Sequence, residues 1–100
     1  MLNITTNQNE GACVITLEGR LDTNTAKSAD KEFTEAAASA DRFVLDCAGL
    51  EYCSSAGLRA LKRLNQNAKK KGGPIVMRGV RPEVMDVFDL TGFSALLKFE

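Results

Sequence analysis

The stretch "LDCAGLEYCSSAGLRALKRL", Leu45 to Leu64, sets two adjacent hydroxyls, Ser54 and Ser55, between an apolar run and a helical pattern. A serine at such a junction can act as a nucleophile, cap the helix, or accept a phosphoryl group. Nucleophilic use needs a base, and the chain contains no histidine. That removes the usual general base and the usual metal ligand together. "CSSAG" also lacks the G-x-S-x-G spacing of a nucleophile elbow, and nothing in the spacing favours a Ser–Lys dyad. As a cap, a serine hydroxyl accepts an N–H of the first turn and stabilises the helix by about 1 kcal/mol. The same helix end carries unpaired N–H groups and partial positive charge, so a phosphate is well tolerated there. Phosphorylation adds about −1.5 to −2 charges near neutral pH. The residues alone leave cap and phosphate acceptor open, and leave open which serine does which.

Around this pair stand the other residues able to do chemistry. Arg59, one helical turn past Ser55, can pair with a phosphate or simply face water. Gly57 allows close approach of the helix to a neighbouring backbone, or is merely small. Tyr52 serves packing or a partner contact. Asp22, Thr23 and Asn24 can cap an earlier helix. Cys13, Cys47 and Cys53 are odd in number and form no C-x-x-C pair. They point to buried thiols rather than to a disulfide framework or a zinc site. No catalytic set, metal site or cofactor motif is expected.

The elements that must position these groups follow from periodicity. At 100 residues, the chain is expected to form one domain, 1–100. Its apolar share of 44% and charged share of 26% suit an ordinary globular core. Net charge is zero, which speaks against direct nucleic-acid binding, though a local basic patch remains open. "MLNITTNQNEG" has no basic start and apolar core of a signal peptide. No run approaches the ~20 apolar residues that cross a bilayer, so a cytoplasmic protein without membrane insertion is expected.

Residues 2–6 read as a short edge strand, joined by a loop near Asn9–Gly11 to "ACVITLEG", with Cys13, Ile15 and Leu17 on one face. Ala26, Ala29, Phe33, Ala36 and Ala40 then fall at helical spacing. "RFVLDC" reads as a short strand covered on both faces, and "AGLEYC" as a loop. A helix beginning near Gly57 follows, with Leu58, Leu61, Leu64 and Ala68 on one stripe. Its end carries Lys69-Lys70-Lys71, expected as a solvated cap, and Gly72-Gly73 stops it. "PIVMRG" is a strand, and Pro82 opens a helix that packs Val84, Val87 and Phe88 and ends at Gly92. "SALLKFE" closes the chain as a helical turn or a final strand. The order β-β-α-β-α-β-α-β predicts an α/β domain: a mixed, mostly parallel sheet of about five strands with helices mainly on one face.

Three stretches in this order resemble the STAS domain family of bacterial anti-sigma factor antagonists. They are "GRLDTNTA" (Gly19–Ala26), "DCAGLEYCSSAGLRAL" (Asp46–Leu61) and "RPEVMDVFDLTGFSALLKF" (Arg81–Phe99). The resemblance implies a STAS-like fold over nearly the whole chain. It implies a phospho-acceptor at Ser55, with Ser54 the second choice, and a partner surface formed by Asp22, Thr23, Asn24, Tyr52, Ser54, Ala56, Gly57 and Arg59. Ser54 stands where many members carry Asp, and Ala56 where Ser or Thr is frequent. The implied role is a regulatory binding module, not an enzyme. Its partners would be an ATP-bound anti-sigma factor serine kinase, which it binds so as to free a sigma factor, and a phosphatase that removes the phosphate. Two other readings stand beside this one: a non-phosphorylated adaptor subunit in a membrane transport or signalling complex, and a small hydrolase using Ser55. The absent histidine and the absent Gly-rich phosphate loop argue against the last.

Overall fold

Alternation in "ACVITLEGRL" carries through into β2, Ala12–Leu21, where Cys13, Ile15 and Leu17 are fully buried and Val14 and Thr16 only half so. A computed structural model of the chain describes residues 2–9, 12–38 and 40–100. The expected edge strand is longer than residues 2–6. As β1 it runs Leu2–Asn9 and pairs antiparallel with β2 along its whole length, from Leu2↔Gly19 to Asn9↔Ala12. The expected loop near Asn9–Gly11 falls at Glu10 and Gly11, which lie outside the described residues.

Helix α1, Ala26–Ala37, buries Ala26, Ala29, Phe33, Ala36 and Ala37; Ala40 is buried beyond its end. Small residues let the helix lie close while Phe33 fills the space to the sheet. β3, Arg42–Cys53, corrects two expectations. "AGLEYC" is not a loop but the second half of this strand. Nor is the strand covered on both faces: Phe43, Leu45 and Cys47 are buried while Val44 and Asp46 are half-buried. Its buried residues then change spacing from two to three, through Leu50 and Cys53. The cause is two register shifts against parallel β2. Thr16↔Asp46 is followed by Glu18↔Gly49, and Gly19↔Leu50 by Arg20↔Tyr52, each inserting one extra residue on β3. Such insertions bend a strand and sharpen its twist. At the first shift the displaced Ala48 is satisfied from outside the ladder. Its N–H donates to Asp46 Oδ1 (3.2 Å) and its carbonyl accepts from Arg81 Nε (2.9 Å).

α2, Ser55–Lys71, buries Leu58, Leu61, Leu64 and Ala68 as the stripe predicts, together with Ala60 and Asn65. Lys71 is more than a solvated cap, since its Nζ donates to the carbonyls of Ala37 and Ala40 and so ties α2 to the end of α1. β4, Val76–Arg78, is parallel to β3, and α3, Pro82–Leu90, places Pro82 at its first turn and buries Val84 and Phe88. The C-terminal stretch forms both expected structures: a 3₁₀ turn, Phe93–Leu96, then β5, Lys98–Phe99, parallel to β4. Among the described residues the sheet order is β1-β2-β3-β4-β5. The buried face of this mixed, mostly parallel sheet joins the apolar residues of all three helices in one core. There Phe88 meets Phe93 edge-on at 5.4 Å, and each buried large side chain adds about 1.5–3 kcal/mol before entropy is counted.

Candidate functional site

The two shifts in β3 aim its last residues at the end of β2, and there the chain is locked by one carbonyl. Leu21 O accepts the N–H of Ser54 (2.9 Å). Gly57 packs onto the same spot. A Cβ on it would lie 2.7 Å from Leu21 Cγ, 2.8 Å from Leu21 O and 3.2 Å from Cys53 Sγ. Of the two readings of Gly57, close approach is the one the structure bears out.

Helix α2 begins at Ser55, two residues before the expected Gly57, because Ser54 takes the cap. Ser54 has extended backbone (φ −87°, ψ 174°), and its Oγ accepts the N–H of Gly57 at 3.2 Å. Asp and Ser are both good N-caps, so Ser54 in place of Asp keeps the cap and removes a negative charge. Ser55 is the first helical residue; its side chain is exposed and makes no hydrogen bond among the described residues. It stands at the end where a helix leaves N–H groups unpaired and the dipole is positive.

The turn between β2 and α1 lies against this junction through Leu21. Its cap differs from expectation: none of Asp22, Thr23 or Asn24 caps α1, whose N-cap is Thr25 without a side-chain cap bond. The Asp22 carboxylate instead accepts the N–H groups of Asn24 (3.0 Å) and Thr25 (3.1 Å), closing a turn ahead of the helix. Thr25 Oγ1 answers by accepting the N–H of Asp22 (2.9 Å) and donating to Arg20 O (2.8 Å). These donors, the N–H of Thr25 first, hold the Asp22 carboxyl below its ordinary range. Thr23 and Asn24 are exposed.

Tyr52 is 40% exposed, with the Arg20 guanidinium 4.4 Å from its ring centroid. Arg20 also reaches toward Asp22 at 4.0 Å. Ala56 and Arg59 line a shallow hollow of about 170 Å³ between α1 and α2, together with Ala26, Lys27, Ala60 and the Asp30–Arg63 pair. The structure therefore gathers Asp22, Tyr52, Ser54, Ser55, Ala56, Gly57 and Arg59 around one end of the sheet. Sequence reasoning missed Arg20, Thr25 and Lys27. The D-x-x-T spacing of Asp22 and Thr25 was a readable turn signal. The Arg20–Tyr52 pairing was not, because it depends on the second register shift.

The site's chemistry is that of a surface. Among the described residues no group of three or more His, Cys, Asp or Glu comes together to hold a metal ion. The cysteines are free and buried. Burial pushes the Cys53 thiol up to about 12, and burial with the charge of Asp46 does the same to Cys47. No helix among the described residues is long and apolar enough to cross a membrane.

Comparison with known proteins agrees with this fold. The profile of the STAS domain family matches residues 3–100. BtrV of Bordetella bronchiseptica, a candidate anti-sigma factor antagonist, is 27% identical over 96 residues, covering 95% of this chain and 83% of BtrV. The crystal structure of an anti-sigma factor antagonist from Mycobacterium paratuberculosis superposes with a TM-score of 0.88 at 21% identity, over 99% of this chain and 85% of that one. SpoIIAA, a Bacillus cell fate determinant solved in its phosphorylated form, superposes at 0.75 and 15% identity, over 98% and 91%.

Proposed function

This chain belongs to the STAS domain family, and we propose that within it the protein is an anti-sigma factor antagonist switched by phosphorylation at Ser55. Unphosphorylated, it binds an ATP-bound anti-sigma factor serine kinase and so frees a sigma factor. The kinase phosphorylates Ser55, the complex parts, and a separate phosphatase restores the binding form. The protein is the substrate of that chemistry and catalyses none of it.

The observation that carries the reading is the division of labour between the two serines. Ser54 Oγ is engaged with the Gly57 N–H, and moving it into a kinase site would unpair that donor. Ser55 Oγ is exposed at the positive end of α2, so a phosphate added there meets favourable dipole and N–H groups in its own domain. On a partner-facing surface the same charge is opposed, and only about 1.4 kcal/mol of opposition costs tenfold in affinity. The switch therefore needs no refolding. Asp22, Thr23, Asn24, Tyr52, Ala56, Gly57 and Arg59 frame the contact around Ser55. Phosphosite mapping of the protein from its source cells tests the assignment: phosphate on Ser55 supports it, and phosphate confined to Ser54, or none on either, counts against it.

A further inference from the structure

The zero net charge of the chain hides a strong separation. α2 carries Arg59, Lys62, Arg63, Lys69, Lys70 and Lys71 and no acidic residue at all. α3 carries Glu83, Asp86 and Asp89 and no basic one. On α2, Arg63 is paired with Asp30 and Lys71 is held by carbonyls of the α1 end. Arg59, Lys62, Lys69 and Lys70 are exposed and form no ion pair among the described residues.

Helical spacing puts these four on one stripe with Ser55 at its head. Residues 55, 59, 62, 66, 69 and 70 lie within about 100° of helix circumference, and the stripe spans about 22 Å at 1.5 Å per residue. Beside its head lies the hollow between α1 and α2. It is lined by Ala26, Ala56 and Ala60, by the cations Lys27, Arg59 and Arg63, and by Asp30, with which Arg63 pairs. With Asp30 met by Arg63, Lys27 and Arg59 are left beside the small alanines to receive a single carboxylate side chain.

We infer that the outer stripe of α2 is the docking strip for a protein partner with an acidic surface, and that one partner carboxylate seats in the hollow beside Ser55. This rests on the Ser55 switch proposed above and adds its mechanism: the phosphate, one turn from Arg59, occupies in cis the cation that the partner carboxylate needs. A membrane is a poorer occupant, because the apolar face of α2 is spent on the core. Nucleic acid is poorer as well: a single strand finds no aromatic residue on the stripe to stack on, and a duplex meets a chain of zero net charge with no long-range field to draw it in.

The test follows backbone amides of the full, isotope-labelled chain by NMR while a synthetic helical peptide with glutamates at i, i+4 and i+7 is added. Duplex DNA and phosphatidylserine vesicles serve as rival polyanions. The peptide is expected to shift the amides of Ser55, Arg59, Lys62 and Lys69. Lys62→Glu is expected to weaken binding about fivefold or more, and Lys98→Glu, an equal change of net charge on β5, to leave it within about twofold. Ser55→Asp weakens binding in the parent chain and adds little in an Arg59→Ala background. The inference is overturned by equal losses from Lys62→Glu and Lys98→Glu, by a peptide that leaves α2 unmoved, or by shifts that only DNA or vesicles produce. A chain phosphorylated on Ser55 in cells yet unresponsive to the peptide loses the docking strip and keeps the switch. Peptide docking without phosphate on Ser55 does the reverse.

Discussion

Ser54 and Ser55 are neighbours in opposite settings, one bonded as the helix cap and one exposed, and stability measurements separate them. Ser54→Ala removes the acceptor of the Gly57 N–H and is expected to cost about 1 kcal/mol. Ser55→Ala removes an exposed hydroxyl and is expected to stay within about 0.5 kcal/mol of the parent. Denaturant titration checks both; equal losses would contradict the assignment. Gly57→Ala is expected to cost about 1–3 kcal/mol by overpacking, because one of the atoms its Cβ meets is the Leu21 carbonyl, which also holds Ser54. The thiols give a second readout at this scale. With Cys47 and Cys53 pushed up to about 12 by burial, the native chain resists alkylation at about pH 8, where an unfolded thiol near pKa 8.5 reacts. Rapid labelling of the native chain would contradict the burial. The sequence made the serine pair conspicuous but could not rank its members. That ranking depends on which residue has extended backbone, and the backbone is set by the Leu21 lock.

At the scale of elements, the helices were legible and the strand that delivers the serines was not. Apolar positions in α1 and α2 recur with a single period, so their buried stripes follow from spacing. β3 mixes two periods, because each inserted residue moves the next buried side chain from i+2 to i+3. Read without the partner strand, Leu50 and Cys53 fall out of phase and the second half looks like a loop. Asn65 was equally hidden, as a polar residue on an otherwise apolar stripe. It is buried; its Oδ1 accepts the Ile75 N–H (3.0 Å) and its Nδ2 donates to Leu96 O (3.3 Å). That joins α2 to the approach to β4 and to the 3₁₀ turn. Asn65→Ala leaves the Ile75 N–H buried without its acceptor and is expected to cost about 1–3 kcal/mol, read as a lower denaturation midpoint at unchanged slope. No change in midpoint would show that the clamp is dispensable.

For the whole molecule, the proposed switch asks nothing of the fold. Ser55 faces water at the end of a helix whose packing lies on its other side, so Ser55→Asp is expected to keep the circular dichroism spectrum and to move the thermal midpoint by no more than a few degrees. A large shift would mean that charge at this position acts through folding rather than through an interface. The order of strands and helices, and hence the fold class, could be read from the sequence because β-β-α-β-α-β-α-β admits few arrangements. The charge separation between α2 and α3 could be read only in part, since net charge conceals it and the helix boundaries are needed to see it. On the proposed reading, charge on Ser55 governs which partner the protein holds. Its most direct test is affinity capture from source-cell lysate with wild type, Ser55→Ala and Ser55→Asp as baits, partners being identified by mass spectrometry. An anti-sigma factor of the serine-kinase type is expected to be held by Ser55→Ala and lost by Ser55→Asp. Equal capture of transport or scaffold proteins by all three baits would contradict it and favour the adaptor role.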